Sequence, residues 1–428
     1  MAVGGHRAAA GAYHAGHMSP IRLLVVSLAA ACVTVFAATG DGVFAQESSS
    51  AASATLRAEW GRGVERPSTY LHDGGSSAFA PLRLVRTDPV VRPRIAPADA
   101  DAQVDVVLWN GDRVQGRFVA GADDALTVAI GASASVVVPI DALASCTHPA
   151  RRVIAGAEEL AAPAQGDRLY RRAGSGVDVV DGTLDGLSNE GVAFESRLGR
   201  RVHPWSEVVA LFVEVIDPPE ASRGTPQSVV VDLVGGTRLS GRVERIDAAT
   251  VALALPWGES IAFATSDVAL VGADDGRITY LSDLEPAAVS GGSAFDDDLG
   301  LVFAPARDRA VHGAALVCGG RTWPRGVGVQ SPTTIVHQLE PGRQSRFCGF
   351  VGIDDSTAEL AARGAAEFVV RGDGSELWRS GVVRGGDAPI ALPTLDVSKL
   401  TRLELVVEMG PDLNLGDRAD WLDLWFER

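Results

Sequence analysis

The chain has 428 residues, a net charge of −16 and a single lysine, Lys399. That length suits several domains with ordinary cores. The acidity argues against nucleic acid, whose phosphates call for a basic face, and against an anionic membrane surface.

Residues 1–45 read as an export signal. In PIRLLVVSLAAACVTVFAATGDGVFAQ, Arg22 introduces an apolar run that ends near Ala38. Val43-Phe44-Ala45 then offers a small-residue cleavage site before Gln46. The expected location is periplasmic or extracellular, with no membrane attachment once the signal is removed. Export would place Cys146, Cys318 and Cys348 in an oxidising compartment. Cys318 and Cys348 share the C-terminal region, and both a bridge and two separate buried thiols fit the sequence.

Residues 46–100 are rich in Ala, Ser, Pro and Arg without sustained periodicity, and read as a linker or loosely ordered arm. From there to residue 276 the pattern is strand-like and repeats three times, over 101–150, 165–216 and 226–276. VDVVLWNGDRVQGRF in the first unit answers VVVDLVGGTRLSGRV in the third at a constant shift of 125, which places Gly116 on Gly241. The second unit follows the first at a shift of 66, with Gly182 on Gly116. Short alternating strands joined by Asn-Gly or Gly-Gly turns suit small, strongly bent SH3-like units. The repeated glycine predicts a bend or bulge in the second strand. The units carry no clustered His, Cys or Asp and read as spacers or protein-contact modules.

Residues 278–428 change character. YLSDL, GRTWPRGVGVQS, FVGIDD, GDG and DRADWLDLWF are separated by Gly- and Asp-rich turns with no convincing helix, which predicts one β-sandwich. In order and spacing these motifs resemble the NPCBM family of carbohydrate-binding modules. The resemblance implies a galactose-binding-like jelly-roll β-sandwich, of a kind often attached to exported glycoside hydrolases. It departs at Gln330, where the family commonly has His; an amide keeps hydrogen-bonding capacity and does not titrate near neutrality. The expected fold class is therefore all-β, with three small SH3-like units followed by the sandwich.

Candidate sugar-binding residues are Trp323, Gln330, Asp354, Asp355 and Trp421. An indole offers a flat apolar face to a sugar's C–H groups, with Trp378 a further choice. Asp354 and Asp355 also suit turn capping. Strand alternation puts Leu422, Leu424 and Phe426 on a core face, and Trp421, Asp423 and Trp425 on the opposite one. Asp417 and Asp420 fall in the turn before that strand, as edge groups or as ligands of a structural calcium ion (Ca2+). No Gly-x-Ser-x-Gly, His-Glu-x-x-His, phosphate-binding loop or metal-spaced Cys pair is present. The sequence thus points to an exported, non-catalytic protein whose partner is a glycan, held by the C-terminal sandwich. The alternative is a structural component of the envelope that contacts envelope proteins through its repeats and binds no sugar.

Overall fold

The computed structural model describes residues 56–428 apart from 62–67, 74–76, 91–96, 132–133, 155–159, 217–223, 293–302 and 412. The expected export signal and the first part of the arm lie outside the described residues. Among the described residues no helix is long and apolar enough to cross a membrane.

Each of the three repeats has five antiparallel strands, the first four pairing in succession and the fifth pairing back on the first. In the first unit, Gln103–Leu108 pairs with Arg113–Ala122 and, to close the unit, with Leu143–Thr147. Asp167–Ala173 closes on Val208–Phe212 in the second, and Ser228–Leu233 on Val268–Ala273 in the third. Alternate residues of these strands are buried. Val104, Val106 and Leu108 join Leu126 and Val128 inside one continuous core shared by all three units.

The repeat in the sequence is a repeat in the backbone. A Cβ on Gly116 would stand 2.1 Å from the carbonyl oxygen of Ala129; on Gly182, 2.0 Å from that of Glu195; on Gly241, 2.7 Å from that of Ala254. These partners are related by the same shifts of 66 and 125 as the glycines. Three residues beyond each glycine the ladder slips, at Val119, Asp185 and Glu244, leaving one unpaired residue in each second strand. The glycine lets the two backbones touch and the slip bends the strand, so that a five-stranded sheet can curl back on itself.

The first and third units face one another about a pseudo-two-fold axis. Asp112 accepts from the backbone N–H and hydroxyl of Ser240 at 2.6 and 2.7 Å. The equivalent residue, Thr237, accepts from the N–H of Gln115 and donates to its carbonyl, both at 3.0 Å. Arg113 pairs with Arg238 across the seam between them.

The stretch read as an arm is more ordered than its composition suggests. Leu56–Glu59 pairs with Arg83–Arg86, which in turn extends the third unit through Leu270 and Val271. Each strand is four residues long, too short for alternation to stand out from an Arg- and Pro-rich background.

Beyond residue 277 the chain forms two antiparallel sheets packed face to face, a β-sandwich. One sheet centres on Arg418–Glu427, flanked by Gly326–Gln330 and Arg346–Ile353, with Ile278–Tyr280 along its end. The other runs Ala288–Gly291, Thr333–Gln338, Arg402–Met409, Ala365–Gly372 and Ser375–Arg384. Val329, Phe347, Val351, Phe368, Leu405 and Phe426 fill the space between them.

Because Gly116 is pressed against backbone, Gly116→Ala is expected to destabilise the protein by about 1–3 kcal/mol, the usual cost of overpacking. Gly235→Ala, whose added methyl would meet nothing within 4 Å, should change little. Urea unfolding of the two variants against the parent measures the difference.

Candidate functional site

The final strand does not follow simple alternation. Asp423 has φ of 49°, and the pairing with Arg346–Ile353 slips there, Cys348 facing Trp425 and Phe350 facing Leu422. Opposite Gly349 the strand carries one residue too many, so the faces exchange. Trp421 therefore joins Leu424 and Phe426 in the inter-sheet core, fully buried and edge-on to Phe368 at 5.2 Å. Leu422 and Trp425 point the other way. That face is covered too, since Trp425 packs on Leu82, Val85, Leu270 and Tyr280 from the arm, the third unit and the linking strand.

Trp323 is likewise no open platform. It is 4% exposed, donates from its indole N–H to the carbonyl of Cys318 at 3.1 Å, lies against Phe350 and is capped by the Arg321 guanidinium. The exposed stacking role expected of Trp323 and Trp421 does not match their burial. Trp378, on an edge strand, is half-buried against the sandwich core.

The paired acids after strand Arg346–Ile353 work as backbone clamps. Asp354 is buried; one oxygen caps the following 3-10 turn at Ser356 N and the other accepts from Val317 N. Asp355 accepts from Gly319 N and Gly320 N at 3.1 and 2.7 Å. Together they hold the hairpin Leu316–Cys318/Arg321–Trp323 onto the sheet. Their carboxylate oxygens are spent on N–H groups, and the burial of Asp354 rules out direct sugar contact there.

Asp417 is also enclosed, taking the hydroxyl of Ser331 and, at 2.7 Å, the N–H of Ala365. Asp420 lies in the sheet between Gly328 and Gly352 and is completely buried. Burial raises its pKa well above the ordinary carboxyl range, and the neighbouring charges of Asp354 and Asp355 add to the effect. Neither Asp420 oxygen has a hydrogen-bond donor, a setting that favours the neutral carboxyl over the carboxylate. Asp417 and Asp420 thus serve separate surroundings. Among the described residues no group of three or more His, Cys, Asp and Glu side chains could hold a metal ion.

Cys318 and Cys348 are both free: Cys318 donates to the carbonyl of Ile353 at 3.3 Å, and Cys348 lies 3.7 Å from the hydroxyl of Thr394. The bridge allowed by the sequence is not made.

What stays open is the end of this sheet. The register sets Gln330 opposite Arg418 and Ile353 opposite Ala419, so the strand ends and the loops after them converge there. Half-buried Gln330 donates to the carbonyl of Asn414 at 3.3 Å. Half-buried Arg418 donates to the hydroxyl of Ser356 at 2.8 Å. Exposed His312 is near enough to feel both Asp354 and Arg418; loss of hydration lowers its pKa, Asp354 opposes this and Arg418 reinforces it, which leaves a neutral imidazole at pH 7. Leu413 and Leu415 stand exposed on either side of Asn414, Leu413 with a positive φ of 63°. Amide, guanidinium, imidazole and hydroxyl groups beside a small apolar rim can exchange hydrogen bonds with a polyol and bind its C–H faces. Of the expected residues, only Gln330 belongs to this rim. Arg418, Ser356, His312 and Asn414 were not read from the sequence. Arg418 alone carried a signal, as the one cation inside the acidic DRAD motif.

Residues 277–427 match the NPCBM/NEW2 domain family. A curated relative, "Alpha-1,3-galactosidase B" of Akkermansia muciniphila, is 32% identical over 120 residues, 27% of this chain and 14% of its own length. A second, "Putative endo-alpha-N-acetylgalactosaminidase" of Renibacterium salmoninarum, is 32% identical over 115 residues, 27% of this chain and 7% of its own length. The chain therefore spans a small fraction of the curated relatives it matches. Among solved structures, a CBM51 module from Clostridium perfringens GH95 in complex with methyl-galactose is 24% identical, covering 35% of this chain and 99% of its own, with a TM-score of 0.31. The resemblance of residues 278–428 to the NPCBM family is thus upheld.

The buried acid makes a pH prediction. Asp420 has a folded pKa above its unfolded value, so its contribution to stability is full below about pH 4 and is lost as pH rises through the folded value. Asp420→Asn, which has nearly the same shape and does not ionise, should remove that loss. Relative to the parent, the variant is expected to gain thermal stability between pH 4 and pH 8. A parallel shift at both pH values would contradict it.

Proposed function

We propose that this chain is an exported, non-catalytic carbohydrate-binding protein in which the open end of the C-terminal sandwich holds a glycan. The observation that carries the proposal is the match of residues 277–427 to the NPCBM/NEW2 domain family, on a fold with an open polar rim at that sheet end. Catalysis of glycoside hydrolysis needs two carboxyl groups facing across a cleft. Here Asp354, Asp355 and Asp417 each spend their oxygens on backbone N–H or hydroxyl donors, and Asp420 is fully buried. Export rests on the sequence of residues 21–45, and the mature chain would begin near Gln46.

The rim binds by hydrogen bonding with limited stacking, so modest affinity is expected. The name of the Akkermansia relative makes galactose-terminated glycans the first probes. On a glycan array followed by calorimetry, the full chain should bind without cleaving. Arg418→Ala should weaken that binding roughly tenfold, which is about 1.4 kcal/mol. Excess chelator should leave it unchanged. Binding that survives Arg418→Ala and Gln330→Ala together would remove the rim from the account.

One observation favours the structural alternative: the face of the sandwich that carries Trp425 is closed by the arm and third unit. A chain that binds no glycan on the array would leave the sandwich as a structural part, with envelope proteins as the partners of the repeats.

A further inference from the structure

A well-formed cavity lies away from the sheet end. It occupies about 840 Å³ where the first and third units meet the sandwich, within the roughly 300–1,000 Å³ usual for ligand sites. One wall is the pair of pseudo-symmetric hairpins around Asn110–Arg113 and Gly236–Arg238; the other is built from Tyr280–Leu284, Arg307–Arg309 and Thr322–Arg325 of the sandwich.

Its floor is a fixed ion network. Arg325, 2% exposed, donates to Asp232 at 2.9 Å and to both oxygens of Asp283, and lies 4.0 Å over the ring of Tyr280. Arg238 joins Asp232 to Asp308 at 2.5 and 2.7 Å. The upper walls are accessible: the side chains of Arg113, Arg307 and Arg309 are 37–39% exposed and that of Asp283 is 49% exposed. Six arginines and six aspartates line the cavity, so their side-chain charges sum to zero. A polyanion or a polycation gains nothing from such a balance. A neutral polyol does, because each hydroxyl both donates and accepts, and adjacent Arg and Asp groups held in place offer both at once.

We propose that this junction cleft is a second binding site, for a neutral oligosaccharide, distinct from the rim at the sheet end. The choice of ligand class rests on the carbohydrate-binding reading above; the place and the neutrality rest on the cleft. Arg113 and Arg309 form its accessible cationic edge. Neither belongs to the buried network: both pair with half-buried Asp105, and Arg309 also donates to the carbonyl of Gly313.

The test uses the full chain, an array of neutral and sulfated oligosaccharides, and calorimetry on the best neutral hit. The compared proteins are the parent, Arg113→Ser with Arg309→Ser, each single change, and Arg418→Ala, all checked for unchanged melting. The expected result is a loss of at least tenfold in affinity, or of one of two binding sites, in the double Ser variant, with that same site intact in Arg418→Ala. If only Arg418→Ala loses binding, the junction proposal falls and the sheet-end reading stands. Preference for sulfated over neutral chains, abolished by the double variant, would overturn the neutral class. If the parent binds no oligosaccharide, both proposals fall.

Discussion

The ion pair between Arg83 and Asp423 sits where the structure turns. Their side chains are 4% and 5% exposed and meet at 2.8 Å, with Glu59 on the other side of the guanidinium at 2.7 Å. Asp423 is the left-handed residue that breaks the alternation of the last strand, so the arginine of the arm holds the strand's irregularity in place. A buried pair of this kind adds little net stability in itself, but losing one partner strands the other charge in a dry interior. From that point outward, Trp421 is committed to the sandwich core and Trp425, under the same guanidinium at 4.7 Å, to the junction with the repeats.

The aromatic side chains of the last strand are all used for packing, so the proposed glycan site relies on polar groups around Arg418 and Gln330. It also means that the sandwich is not a free bead on a string. Arg325 reaches from the sandwich to Asp232 of the third unit, so the two share one desolvated network as well as one apolar cluster. Breaking such a network by removing one partner is costly, which favours a single arrangement of the parts.

Much of the repeat architecture could be read in the sequence, because a glycine that must touch a carbonyl leaves its mark at every copy. Gly116, Gly182 and Gly241 foretold the bent second strands, and the shifts of 66 and 125 reappear in their contacts and bulges. The face assignment for Trp421 failed for the opposite reason: a single bulge residue, Asp423, leaves no periodic trace and inverts everything on one side of it. The ordered arm was hidden by the shortness of its strands. At the sheet end, Gln330 was recognisable by its place in GVGVQS. Nothing local links Arg418 to Ser356, 62 residues apart, or either to His312; only the strand register brings them together.

The central claim, that the sheet end is where a glycan lies, is tested most directly by hydrogen exchange of the full chain with and without a bound galactose-terminated oligosaccharide. Slower exchange confined to the segments around residues 312, 354–359 and 413–418 is the result the account predicts. Unchanged exchange in those segments, with protection instead along the hairpin that carries Trp323, would contradict it.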